Sequence, residues 1–135
     1  IGLGLTPKET YRATAYLAVF ESEKQIRDLS PDMKQLAQLD CRSVIVTAPS
    51  NDSDIDFVSR YFVPKARNTE DPVTGSAHCT LTPYWASRLN KTKLHAKQIS
   101  SRGGELWCEL KNDRVWISGK VLLYLEGSLQ LDFQL

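Results

Sequence analysis

A helical apolar period sustained over several turns occurs from Ser76 to Leu89, where Ala77, Leu81, Tyr84, Trp85 and Leu89 recur on one face. Most of the chain around it reads as short strands. Thr14–Glu21 alternates Ala15, Leu17 and Val19 with Tyr16, Ala18 and Phe20, so both sides are apolar and both faces are expected to be covered. Val44–Thr47 is β-branched and stops at Pro49; Phe57–Val63 stops at Pro64. Leu94–Ser100, Glu105–Leu110, Arg114–Ser118, Val121–Leu125 and a short segment near Leu129–Phe133 complete the strand set, with Asn112-Asp113 as a tight hairpin turn. Asn51–Asp54 is a polar turn. A short helix is expected from Ser30-Pro31-Asp32, with Ser30 as cap and Met33, Leu36, Ala37 and Leu39 as its apolar face. Pro83 lies inside the long helix, where it removes a backbone donor and predicts a kink. Few helices and many strands in mixed order give an α+β domain, its sheet wrapped around or packed on the Ser76–Leu89 helix.

The 135 residues are the length of one domain, and 41% hydrophobic with 24% charged residues is enough to build a core. Seventeen basic side chains against sixteen acidic ones leave a net charge of +1, which provides no field for nucleic acid. Arg88, Lys91 and Lys93 read as a solvated face. No apolar run approaches the ~20 residues of a membrane span. Cys41, Cys79 and Cys108 are widely spaced, and with only His78 and His95 beside them they argue against a zinc site. They suit a reducing, cytoplasmic setting, as small core thiols. The opening Ile1-Gly2-Leu3-Gly4-Leu5 reads as mid-protein sequence, so a truncated, processed or split product is expected; Gly2-x-Gly4 lacks the rest of a dinucleotide fingerprint.

Lys65–Thr74 has no period, and a long irregular loop in a compact domain is often functional. It ends in Glu70-Asp71-Pro72-Val73-Thr74-Gly75-Ser76-Ala77-His78, an acidic loop feeding a helix start. Two readings stand. In one, Gly75 gives a ligand close access to the backbone, and the first-turn amides near Gly75, Ser76 and Ala77 form an anion site for a carboxylate or phosphate. Thr74 and Ser76 then add hydroxyl donors, and Asp71 holds an ammonium group or exchanges a proton. In the other, Thr74 or Ser76 is only an N-cap and Asp71 only a charge complementing the helix dipole. A Ser76–His78–Asp71 triad is excluded by facing, since helix residues two apart do not meet. His78 reads as a packed, hydrogen-bonded histidine, Cys79 as a core thiol, and Tyr84 and Trp85 as core. In Gln98–Glu105, Arg102 with Gly103-Gly104 reads either as an anion contact or as a flexible hairpin turn. Arg60 has Asp71 or Glu70 as candidate partners.

These segments resemble a known family. Asp56–Pro64, Glu70–His78, Pro83-Tyr84-Trp85-Ala86, Gln98–Leu106, Ser118-Gly119 and Leu125-Glu126-Gly127 are similar, in this order and spacing, to the second half of phenazine-biosynthesis-like (PhzF-like) proteins. Tyr16–Val19, Leu29–Asp32 and Val46–Pro49 also fit. The resemblance implies one half of a diaminopimelate epimerase-like fold, in which each half wraps a mixed, barrel-like sheet around a central helix and the active site lies between the halves. It implies a cofactor-independent isomerase that moves a proton on a small carboxylic acid. Carried over by position, Asp71 and Ser76 fall on the catalytic positions, and Thr74, Gly75 and Ala77 on the substrate-binding helix start. A cysteine acts near the position of Asp71 in epimerase relatives; Cys79 does not align there. The family's acid–base glutamate and Cys-Gly-His-Ala-Thr helix start belong to the N-terminal half, which residues 1–135 lack. Lys65–Thr69 lacks the glycine often found before Glu-Asp-Pro, and Lys120 replaces a small residue.

Half of such an isomerase is therefore the leading expectation, its partner an N-terminal half or a second copy in a homodimer. The alternatives are a non-catalytic binding or dimerisation module and an inactive fragment.

Overall fold

The β-branched and aromatic runs form the strands, and the central ones find a cover on both sides. In the computed structural model, which describes residues 2–131, the strands are β1 (Glu9–Arg12), β2 (Tyr16–Val19), β3 (Val44–Pro49), β4 (Phe57–Phe62), β5 (Glu70–Asp71), β6 (Lys93–Gln98), β7 (Gly104–Lys111) and β8 (Arg114–Ser118). The helices are α1 (Glu23–Asp28), α2 (Met33–Leu36) and α3 (Gly75–Leu89). One mixed sheet runs β1-β2-β3-β4-β6-β7-β8, with β5 paired to β4. Its two parallel pairs, β2 with β3 and β4 with β6, are joined by helical crossovers, as parallel neighbours require. The chain is thus α+β, with α1 and α2 in one crossover and α3 in the other.

The strand alternation sorts side chains between two cores. Leu17, Ile45, Phe57, Ala96 and Leu106 face Ala77, Leu81 and Trp85 of α3. Ala18, Val46, Val58 and Phe62 pack with Ile26 and Leu29 at α1 and with Leu36 of α2. Buried on both faces, β3 is apolar on both sides except at Thr47. Trp85 stacks on Phe57 with ring centroids 5.6 Å apart. Its Nε1–H donates to the buried Thr47 hydroxyl at 3.0 Å, which donates in turn to the Val58 carbonyl at 2.7 Å. The sheet curls around α3, which meets both edge strands. At one edge Arg88 bonds Glu9, and Tyr84 lies edge-on to Tyr11. At the other, Ile117 of β8 packs against the α3 core. Arg88, followed by the Tyr11 hydroxyl, pulls the Glu9 carboxyl down to about 2. Of the expected solvated cations, Arg88 and Lys91 are ion-paired, Lys91 to Asp56.

Several expectations need correction. The cap of α2 is Asp32, whose carboxylate accepts from the amides of Lys34 and Gln35; Ser30 lies outside the helix. The strand expected over Thr14–Glu21 is confined to Tyr16–Val19, as β2. α1 and β1 are additional elements; α1 is started by a Ser22–Gln25 capping box. The Lys65–Thr74 loop is interrupted by β5. α3 continues through Pro83 as one element and ends at Asn90, in the left-handed conformation with φ 52°. Asn112, with φ 54°, turns the β7–β8 hairpin as expected. Val121–Leu125 is not a strand: the segment follows β8 unpaired and exposed. Leu129–Leu131 is likewise not a strand, and the rest of the segment expected to reach Phe133 lies outside the described residues.

Candidate active site at the start of the central helix

The β4–β5 register places Asp71 opposite Tyr61, at the end of the strand that leads into α3. Behind it, Arg60 holds β5 in place. Its guanidinium donates to both carboxylate oxygens of Glu70 at 2.8 and 3.0 Å, and to the carbonyls of Ile26 and Leu29 at the end of α1. Of the two partners open in sequence, Arg60 therefore takes Glu70 and leaves Asp71 to the site.

Thr74 occupies the N-cap position of α3 but makes no side-chain cap. Its hydroxyl donates to Asp71 Oδ2 at 2.5 Å, and its carbonyl accepts from His78 Nδ1 at 2.8 Å. The N-cap reading of Thr74 is thereby set aside. Gly75 and Ser76 are exposed, and a Cβ on Gly75 would meet no atom within 4 Å. Neither packing nor a positive φ within this chain calls for glycine there. Ala77 turns its methyl into the core, so only its amide belongs to the helix start. Asp71, Thr74 and Ser76 open together onto a cleft of about 360 Å³, whose other walls include Arg42, Tyr61 and Asn68. The cleft combines a carboxylate, hydroxyls, a cation and the positive end of a helix. Such a set can bind an anion and hold a proton-bearing group beside it.

His78 is fully buried, stacked on Phe57, and bonded through Nδ1 to Thr74, as expected of a packed histidine. Its Nε2 has no hydrogen-bond partner among the described residues. Burial lowers its pKa below the ordinary 6.5, against the opposing bond to the Thr74 carbonyl. Cys79 is exposed, which corrects the core-thiol expectation; Cys108 is the buried one, and burial raises its pKa. All three cysteines are free. Among the described residues no group of His, Cys, Asp or Glu is arranged to hold a metal ion, and no helix is long and apolar enough to cross a membrane.

Arg102 is not brought to the Asp71 cleft. It lines a different one of about 670 Å³, with Lys97, Glu105 and Lys120. The neighbouring Gln98 does reach the site, from beneath, and sequence reading gave it no role. Arg42 and Tyr61 were also missed. The β4 alternation that puts Phe57 and Ser59 on the α3 side puts Tyr61 there too, so Tyr61 had a legible signal; Arg42 had none.

The family profile for phenazine biosynthesis-like proteins matches residues 6–127. An uncharacterized isomerase of Pseudomonas aeruginosa is 52% identical, over 96% of this chain and 49% of its own length. A crystal structure of a PhzF-family phenazine biosynthesis protein from Enterococcus faecalis superposes with a TM-score of 0.83 at 47% identity, over 87% of this chain and 45% of that one. A putative PhzC/PhzF protein from Clostridium difficile gives 0.83 at 42% identity, over 95% and 49%. The chain thus spans about half the length of the relatives it matches. The match of profile, sequence and fold over nearly all the described residues places the chain in the phenazine biosynthesis-like (PhzF) family.

Proposed function

We propose that this chain supplies one wall of the active site of an isomerase that moves a proton on a small carboxylic acid. The observation that carries the reading is the meeting, in one cleft, of the Asp71 carboxylate with Thr74 and Ser76 at the uncapped start of α3. In this reading the amides of Gly75, Ser76 and Ala77 receive the substrate carboxylate, where the helix dipole favours negative charge. They also stabilise charge that builds up as a C–H proton leaves. Ser76 donates to the substrate's polar groups, and Thr74, whose single hydroxyl proton goes to Asp71, lines the cleft beside it. Asp71, one oxygen held by Thr74, offers the other to an ammonium group or to the migrating proton. The name borne by the Pseudomonas relative, an isomerase, supports the reaction class.

The rest of the site belongs to a second half, in the manner of the two-lobed diaminopimelate epimerase-like fold. That half provides the opposing acid–base group. One feature supports the need for one: Val121, Leu122 and Tyr124 are each about nine-tenths exposed, a state apolar side chains leave when a partner covers them. An N-terminal half is the proposed cover, a second copy its alternative. No cofactor is assigned to the step, and the cytoplasm is the proposed location.

The test is wash-in of solvent deuterium by the full-length protein, across a panel of small carboxylic acids with an activated C–H bond. Asp71→Asn and Ser76→Ala are each expected to cut turnover of the accepted acid by about 100-fold or more. Wild-type rates in both variants would show that the site is assigned wrongly.

A further inference from the structure

We propose that Gln98 is a positioning residue for this site, acting with Ser100 and Gly104 as a clasp that fixes the Asp71–Thr74 loop relative to α3. The inference rests on the site proposed above.

Gln98 ends β6 and is completely buried. Its Oε1 accepts from the Thr74 amide at 2.8 Å; its Nε2 donates to the Asp71 carbonyl at 2.7 Å and to the Thr74 hydroxyl at 3.2 Å. One acceptor and two donors are thus all engaged, and the amide has a single allowed orientation. Flipped, it would set oxygen against the Asp71 carbonyl and N–H against the Thr74 N–H. Because the Thr74 oxygen accepts from Gln98, its own proton is directed away, to Asp71 Oδ2. The relay Gln98 Nε2–H to Thr74 Oγ1–H to Asp71 Oδ2 therefore holds the carboxylate by one of its oxygens. The other carboxylate oxygen accepts no hydrogen bond among the described residues.

The other two loop residues are held from the same segment. Ser100 Oγ donates to the Pro72 carbonyl at 2.7 Å while accepting from the Gly103 amide. Gly104 lies so close under Val73 that a Cβ there would fall 2.4 Å from Val73 Cγ2. Each of the four residues from Asp71 to Thr74 is thus gripped by a segment 24 or more positions further along the chain. A carboxylate that must meet a substrate anchored on a helix start needs such support, since an error near 1 Å costs about 100-fold in rate.

The test uses Gln98→Leu and Ser100→Ala in the full-length protein, with two readouts. In amide hydrogen exchange followed by NMR, Gln98→Leu is expected to speed exchange at Thr74 by about tenfold or more, while β2 and β3 keep their protection. In the deuterium assay, kcat is expected to fall about 100-fold with KM within about threefold, because the anion-binding amides are untouched. Ser100→Ala moves both readouts the same way by less, and decides the question if Gln98→Leu does not fold. Wild-type exchange at Thr74 in a folded Gln98→Leu protein overturns the proposal. So does a fall in kcat accompanied by loss of protection throughout the sheet, which marks a merely structural role. If the wild-type protein turns over none of the acids, the reaction assignment fails by itself, and the amide readout still decides whether Gln98 holds the loop.

Discussion

Substituting Gly104 by alanine tests the packing beneath the site with a magnitude the structure supplies. The new methyl would lie 2.4 Å from Val73 Cγ2 and 3.4 Å from Cγ1. Carbon atoms rest about 3.5–4.0 Å apart, so the Val73 side chain must retreat by roughly 1–1.5 Å. Valine is stiff about its one side-chain torsion, and its neighbour Thr74 is tied to Gln98, so the backbone of the loop has to move. Gly104 is not in the left-handed region, which makes the cost steric rather than conformational. Overpacking of this kind costs about 1–3 kcal/mol. Val73→Ala removes both offending atoms and leaves Cβ at 3.5 Å, an ordinary contact. Gly104→Ala combined with Val73→Ala is therefore expected to be no less stable than Val73→Ala alone, a coupling of about 1–3 kcal/mol between the two sites. Urea denaturation of the wild type, both single variants and the double variant measures it. Additive free energies, or a Gly104→Ala protein as stable as wild type, refute the reasoning.

Two further outcomes follow from the same region. Burial depresses the His78 pKa, so the unfolded chain takes up a proton that the native chain refuses; the stability is complete above the ordinary value of 6.5 and is lost as pH falls through the lower folded pKa. Urea midpoints are expected to fall as pH drops below about 6.5 more steeply in wild type than in His78→Leu; equal pH dependence in the two counts against the burial argument. Gly75→Ala meets no atom within 4 Å at the first helical position, and is expected to leave the melting point unchanged or raise stability by about 0.5 kcal/mol, yet to slow deuterium wash-in about tenfold by crowding the anion. A variant that melts early, or that turns over at the wild-type rate, removes the case for a ligand-facing glycine.

The parts legible in sequence were those whose signal is local. β3, β4, α3 and the β7–β8 hairpin each carry their own period or turn residue, and the helix start announced itself through Gly75 and the acidic residues before it. What was missed depends on neighbours. β1 reads Glu-Thr-Tyr-Arg, an exposed edge with no apolar face, and is a strand only because β2 lies beside it. β5 is two residues long and exists through its pairing with β4. α1 presents little more than Ile26 to the core, although its Ser22–Gln25 capping box was there to be read. Val121–Leu125 has strand composition, yet among the described residues it pairs with neither edge of the sheet, so composition alone misled. The role of Gln98 was illegible because a glutamine in a strand reads as polar surface until its partner loop, 24 residues away in sequence, closes over it.

The measurement that bears most directly on the central claim is deuterium incorporation from heavy water by the full-length protein, wild type against Asp71→Asn, read by mass spectrometry on the acid it accepts. The account predicts one deuteron gained per turnover in wild type and a loss of about 100-fold or more in Asp71→Asn, with its melting temperature unchanged. A folded Asp71→Asn protein that incorporates deuterium at the wild-type rate contradicts it.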